Sequence, residues 1–399
     1  MIGKPARICI LGGGFGGLYT ALRLSQLPWD GLNQPEIILI DRNDRFLFSP
    51  LLYELLTGEL QTWEIAPPYP ELLANTNIQF CQAQVTGIDI QAQQIQLQDR
   101  QDLGYDRLVL ALGGEPRLDL VPGVADYAIP FQTISDAYRL AERLRLLEAS
   151  DADKIRIAII GGGYSGVELG CKLADRLQKR GLLRLIEKSD SILQSSPAFN
   201  QEMARRALSE RGVWLDLETT VAEITADTIA LSYKNQVDTI PVDVAIWTAG
   251  LQMNAVVRSL PLQHNPQDKL VVTSQLQAVD HPEIFALGDL AECRDATDQL
   301  VPTTAQSAFQ QADYAGWNIW ASLTGRPLLP FRYQHLGEML ALGINNATLS
   351  GLGLQLNGPV AHAMRRLAYL YRMPTWNHQL KVGLNWIAQP LLSFVSDIG

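Results

Sequence analysis

The sequence predicts an α/β protein made of two Rossmann-like dinucleotide-binding domains, the second inserted in the first, with amphipathic helices at the C-terminus. Three observations carry this. A strand, glycine turn, helix, strand and acid open the chain. The same order returns from residue 155. Each copy is followed by a β meander that closes with a strand and a glycine turn.

In the first copy, the apolar run Ile8 to Leu11 enters a Gly-x-Gly-x-x-Gly turn at Gly12, Gly14 and Gly17. A helix is expected over Leu18 to Leu27, then a second apolar run, Ile37 to Ile40, ending at Asp41. Gly12 makes the tight turn, Gly14 lets a pyrophosphate approach the backbone, and Gly17 lets helix and strand close up. Free N–H groups at the helix start attract phosphate, and the acid takes ribose hydroxyls. Three glycines alone say little. Here they follow a strand, open a helix and lead to an acid 24 residues after Gly17, the context that distinguishes a dinucleotide turn from a bare glycine-rich loop.

A length of 399 residues suggests two to three domains. Apolar content of 47% against 19% charged fits a well-cored protein. A net charge of −10 gives nucleic-acid binding no electrostatic support. The first residues lack a basic and apolar leader pattern, so no secretory signal is expected. No run of 18 apolar residues suggests a membrane span. Cys9, Cys81, Cys171 and Cys293 form no Cys-x-x-Cys, and the histidines show no ligand spacing, so no metal site and a reducing compartment are expected.

After Asp41, Ser49 reads as a helix cap with Pro50 at the first helical position. Leu55 and Leu56 read as core. Phe48, Pro50 and Leu51 are placed at a bound cofactor because they directly follow the ribose acid. Residues 77–110 read as strands, and Leu108 to Leu112 runs into Gly113-Gly114, which returns the chain to the first sheet.

The second copy runs from Ile157 through Gly161, Gly163 and Gly166 to a strand that ends at Glu187. Two copies imply two dinucleotides. Glu187 lies 21 residues after Gly166 and favours a free ribose 2′-hydroxyl, so NADH is the first expectation, with Lys188 and Arg184 as cations that soften it. Residues 213–250 read as a second meander closing at Gly250. Ile284 to Leu287 reaches Gly288-Asp289, followed by helix-prone Leu290 to Cys293. Asp289 suits a polyol, or a helix cap. Pro302-Thr303-Thr304 starts a helix on which Gln306 and Gln310 share a face, turned to a carbonyl substrate or to solvent. From about residue 358, Val360, Met364, Leu367, Leu370 and Tyr371 form an apolar stripe beside Arg365, Arg366 and Arg372. Leu380, Leu384, Ile387, Leu391, Phe394 and Val395 continue it, with Trp376 and Trp386. This reads as a helix pair lying on a membrane surface, or packed on its own core or a second subunit.

The order Gly-x-Gly-x-x-Gly, Phe-x-Pro-Leu-Leu, a second Gly-x-Gly-x-x-Gly-x-Glu, Trp-Thr-Ala-Gly, Ala-Leu-Gly-Asp and Ala-Gln-x-Ala-x-Gln resembles the type II NAD(P)H:quinone dehydrogenases. These belong to the two-dinucleotide-binding-domain flavoproteins, and the likeness spans nearly the whole chain. Pro-Leu-Leu-Tyr-Glu-Leu-Leu-Thr-Gly-Glu and the closing Leu-Asn-Trp-Ile-Ala-Gln-Pro-Leu-Leu-Ser-Phe resemble, more narrowly, the cyanobacterial and plastid branch that reduces demethylphylloquinone. The resemblance implies a glutathione-reductase-like arrangement, with an FAD domain over 1–120 and 280–345, an NAD(P)H domain over 121–279 and C-terminal membrane or dimerisation helices over 346–399. It implies non-covalent FAD on Gly12, Gly14, Phe15, Gly16, Gly17, Asp41, Arg42, Phe48, Pro50, Leu51, Ala111, Gly113, Gly288, Asp289, Thr304 and Ala305. NADH or NADPH is implied on Gly161, Gly163, Tyr164, Gly166, Glu187 and Gly250. Glu168 matches the family glutamate near nicotinamide and flavin, and Gln306 and Gln310 match the quinone end. The implied partners are a membrane quinone, the membrane surface at its cytoplasmic face and a second copy of the chain. Two rivals stand beside this reading. A sulfide:quinone oxidoreductase on the same scaffold needs redox cysteines at the flavin, and a non-enzymatic redox sensor needs no turnover.

Overall fold

The computed structural model describes residues 5–29 and 34–396, with side chains described to residue 388. The chain forms two compact units. The first comprises Met1–Phe46, Ala66–Glu115 and Leu251–Gln334; the second comprises Leu47–Ile65, Pro116–Gly250 and His335–Gly399.

The first unit is built on an eight-stranded sheet. Five strands are parallel neighbours, in the order His281–Ala286, Arg107–Leu110, Arg7–Leu11, Glu36–Asp41 and Ile78–Gln82. Their near-continuous apolar runs follow from burial on both faces, as parallel sheets require; Ile8, Ile10 and Leu11 are fully buried. The helix Phe15–Gln26 packs against the helix Ala305–Thr324, and Arg23 pairs with Asp313 at 2.8 Å. An antiparallel meander, Val85–Asp89, Gln94–Leu97 and Leu103–Gly104, completes the unit.

The second unit repeats the design. Its five-stranded parallel sheet runs Trp214–Asp216, Gly181–Ile186, Ile155–Ile160, Val244–Trp247 and Ala128–Pro130. A three-stranded meander, Thr219–Ile224, Thr228–Tyr233 and Gln236–Pro241, closes one apolar cluster with Ile160, Ile186 and Trp247. The three antiparallel strands Glu338–Ala341, Ala347–Gly351 and Leu354–Asn357 lead into the helices Gly358–Arg372 and Trp376–Ser396.

Four local expectations change. Ser49 does not cap a helix: it is the first residue of a 3-10 turn, Ser49–Leu55, with no side-chain cap. The Pro50 carbonyl, which an α-helix would give to the Glu54 N–H, accepts from Arg365 Nη2 at 2.8 Å instead. Leu290 to Cys293 is not helical, because Ala291–Cys293 pairs in parallel with Leu270–Val272. Asp289 caps no helix; it lies inside the short turn Gly288–Leu290. Trp214–Asp216 leaves the expected meander for the parallel sheet, where Asp216 takes a two-pronged pair from Arg184 at 2.7 Å each.

The unit boundaries also differ from the expected ones. Residues 251–279 stay with the first unit because two of their strands join its sheet. Residues 47–65 join the second, with the C-terminal helices, for reasons of charge described below.

At Gly17 and Gly166 helix and turn come close together: a Cβ at either would overlap the carbonyl oxygen of Gly12 or Gly161. Gly17→Ala and Gly166→Ala are each expected to cost more than about 2 kcal/mol in thermal unfolding. Unchanged stability would contradict this contact.

Candidate functional site

Each unit presents the same turn. Gly12 has φ +95° and Gly161 has φ +113°, conformations that a side chain disfavours. Gly14 and Gly163, at the N-caps of the helices Phe15–Gln26 and Tyr164–Leu177, face open space, and neither helix start has a side-chain cap. Their first N–H groups are thus presented to whatever enters, with the positive end of the helix dipole behind them. The two acids are held alike. Asp41 Oδ2 accepts from the Gly13 N–H at 2.6 Å, and Glu187 Oε2 from the Gly162 N–H at 2.7 Å. The second oxygens accept from the N–H groups of Asn43 (2.7 Å) and Ser189 (2.9 Å). Each carboxylate is therefore fixed beside its glycine turn, where a ribose diol would lie. A dinucleotide fits both cradles.

Around the first turn, the Ala111 carbonyl sits where a Cβ on Gly12 would go, and Gly16 packs on Leu287. Gly113 has φ +70° and its counterpart Gly250 has φ +72°. Phe15 stacks on Tyr19 and meets Phe46 edge-on. Arg42 is largely exposed and lies 4.0 Å from Glu115. The Gly288 N–H donates to Gln311 Oε1 at 2.8 Å. Burial raises the Asp289 pKa, against the pull of Lys269. Thr304 caps the helix that starts at Ala305, in a reciprocal box with Ser307. Gln306 and Gln310 do share a face: the Tyr333 hydroxyl donates to Gln306 Oε1 (3.0 Å), while Gln310 exchanges two bonds with the Gln334 backbone (2.8 and 3.0 Å). Their amides are oriented, not loose in solvent.

In the second unit, Phe48 and Leu51 are buried, with Phe48 edge-on to Tyr369. The Tyr164 hydroxyl bonds Ser196 at 2.7 Å. Of the two cations near Glu187, Arg184 is committed to Asp216, while Lys188 is exposed. Glu168, on the helix Tyr164–Leu177, is buried. Its Oε1 accepts from the Ala341 N–H at 2.7 Å, with Arg365 Nη2 at 3.7 Å. Burial pushes its carboxyl up to about 7, although Arg365, the Ala341 N–H and Lys172 pull the other way.

The sequence reading missed what surrounds Glu168. Arg365, expected as a basic flank of a membrane helix, is fully buried and pairs with Glu54 at 2.5 Å. Arg366 also turns inward, 2.7 Å from Glu54. Lys172 is fully buried against Glu59. Glu64 accepts from Asn385 (3.0 Å) and Trp386 (2.8 Å). These pairs explain why residues 47–65 travel with the C-terminal helices. The signal was present: Glu54 and Glu59 sit in the apolar run from Pro50 to Leu60, and a buried acid requires a partner.

The apolar stripe itself holds. Val360, Leu367, Tyr371, Trp376, Leu384 and Ile387 are exposed. The side chains of Leu391, Phe394 and Val395 lie outside the described residues. No described helix is long and apolar enough to cross a membrane. Cys171 and Cys293 are buried, and burial pushes both thiols up to about 12, which makes them poor thiolates for sulfide chemistry.

A family model described as pyridine nucleotide-disulphide oxidoreductase matches residues 6–312, and the chain belongs to that family. The demethylphylloquinone reductase NdbB of Synechocystis is 58% identical over 389 residues, covering 96% of each chain. The alternative NAD(P)H-ubiquinone oxidoreductase C1 of Arabidopsis thaliana is 42% identical, over 98% of this chain and 82% of its own. A solved structure of NDH2 from Plasmodium falciparum with NADH superposes with a TM-score of 0.85 at 17% identity, over 96% of this chain and 98% of that one, a likeness of fold. The resemblance drawn from the motifs is thereby borne out, for the type II NAD(P)H:quinone dehydrogenases and for the demethylphylloquinone-reducing branch.

The raised Glu168 pKa has a sign. Between about pH 4.5 and 7 the folded state holds a proton that the unfolded state has lost, so this group's contribution to stability is present below that window and lost as pH rises through it. Glu168→Gln is expected to flatten the fall in melting temperature across pH 5–7.5. An unchanged slope would show that Glu168 ionises normally.

Proposed function

We propose that this chain is an FAD-dependent NAD(P)H:quinone oxidoreductase whose acceptor is a prenylated naphthoquinone such as demethylphylloquinone. The observation that carries the reading is the pair of open glycine cradles, each at an uncapped helix start with an acid locked beside it. The names of the relatives at 58% and 42% identity support donor and acceptor class.

The first unit would hold FAD on Gly12, Gly14, Gly17 and Asp41, with Asp289 on the polyol chain. The second would hold NAD(P)H on Gly161, Gly163, Gly166 and Glu187. A bound flavin supplies the redox chemistry, taking a hydride and passing two electrons on. Overall, NAD(P)H, a proton and the quinone give NAD(P)+ and the hydroquinone. The chain's residues position and protonate. Phe48, Pro50 and Leu51 offer an apolar surface, Gln306 and Gln310 present oriented amides to a quinone carbonyl, and Glu168 holds a proton that it can give up near neutral pH. The exposed stripe on the C-terminal helices serves as a peripheral docking face on the membrane that carries the quinone.

Anaerobic stopped-flow tests the assignment. NADH or NADPH should bleach the flavin absorbance rapidly, and a naphthoquinone should restore it rapidly over many turnovers. A single bleaching that no quinone reverses would favour the redox sensor instead. Glu168→Gln should retain FAD while lowering kcat at least about 100-fold, within the range for a positioned acid–base group. Unchanged kcat would remove that role.

A further inference from the structure

Glu168 sits beside an arginine that does not close onto it. Arg365 is fully buried; Glu54 Oε1 lies at 2.5 Å, the Pro50 carbonyl at 2.8 Å and Glu168 Oε1 at 3.7 Å, and the Tyr369 hydroxyl also bonds it. Glu54 is itself fully buried and takes Arg366 on its second oxygen. Its burial would raise its pKa, but Arg365, Lys172 and Arg366 outweigh that and hold it at about 2, permanently charged. The strong pair is therefore Arg365–Glu54, and Glu168 is the outlying third partner.

We propose that Glu54 is a positioning residue for Glu168, acting through Arg365: it holds the guanidinium at arm's length and keeps Glu168 from being locked in an ion pair. A bare Arg–carboxylate contact in a buried site favours the charged acid by about 1–3 pH units and would deny it a proton near neutral pH. The Glu-containing segment after Pro50 and the C-terminal helix thereby become parts of the catalytic apparatus. This rests on Glu168 having the role proposed above.

The groups facing Glu168 are few. Arg365 and Tyr369 come from the helix Gly358–Arg372, and Tyr53 and Glu54 from the Ser49–Leu55 turn. Lys172, Tyr164 and Cys171 are on its own helix, and the Ala341 N–H comes from the strand Glu338–Ala341. Among these groups Arg365 and Lys172 are the cations, and Lys172 is paired with Glu59. Arg365 and Glu54 pull the Glu168 proton in opposite directions.

The test is infrared titration of the Glu168 carboxyl in the purified FAD-bound protein, isolated by difference against Glu168→Gln. This readout needs no turnover, so it stands even if Glu168 proves dispensable for catalysis. Glu54→Gln should lower the Glu168 midpoint by about 1–3 units, because Arg365 then closes onto it. Arg365→Gln should raise it. Where either single variant fails to fold, the double variant Glu54→Gln/Arg365→Gln removes both buried charges together and should titrate above the wild-type protein, Arg365 being the larger influence. The kcat–pH limb should move with the infrared midpoint. Shifts of the two single variants in the same direction, or a double variant with the wild-type midpoint, would overturn the proposal and leave Glu54 a structural anchor.

Discussion

The structure depends on one bond made twice. In each unit a backbone N–H of the glycine turn donates to the acid at the end of the next strand, Gly13 to Asp41 and Gly162 to Glu187. The bond sets the separation between the open, uncapped helix start and the carboxylate. Everything nearby serves that separation. The strands lie in parallel register, Arg7–Leu11 with Glu36–Asp41 and Ile155–Ile160 with Gly181–Ile186. Gly17 and Gly166 let the helix sit on the strand, and Gly14 and Gly163 leave the space between open.

The second unit carries a concentrated desolvation cost. Burying Glu54, Arg365, Lys172 and Glu168 removes four ionisable groups from water. Desolvation of such groups costs several kcal/mol each, and Coulomb attraction offsets it only where geometry is good. The ion pairs of Glu54 and Lys172 satisfy that condition; Glu168 does not, and burial raises its carboxyl to about 7. The arrangement thus trades stability for an acid that titrates near neutral pH, a pattern common at reaction sites.

Much of this was legible in the sequence because it is local. Both glycine turns, their acids and the closing strands at Gly113 and Gly250 depend on short-range backbone geometry, and residue type records that directly. The capped start at Thr304 is of the same kind. What was hidden is long-range. Nothing near Arg365 in sequence says that its partner is Glu54, so a buried arginine read as a membrane flank. The 3-10 turn at Ser49 and the strand at Ala291–Cys293 also follow from partners far along the chain. The apolar stripe was legible because amphipathic period is again local; that Val360, Leu367 and Tyr371 are exposed rather than packed on the protein's own core came from the structure.

The central claim is that each cradle holds its own dinucleotide. Gly14 and Gly163 test it most directly, because a Cβ at either would meet nothing within 4 Å, so the fold is expected to survive the substitution. Flavin content and the rate of NADH bleaching would be measured in Gly14→Val and Gly163→Val. The account predicts a folded, flavin-free protein in the first case, and a flavin-loaded protein that NADH bleaches only slowly in the second. Full flavin and fast bleaching in either variant would contradict it.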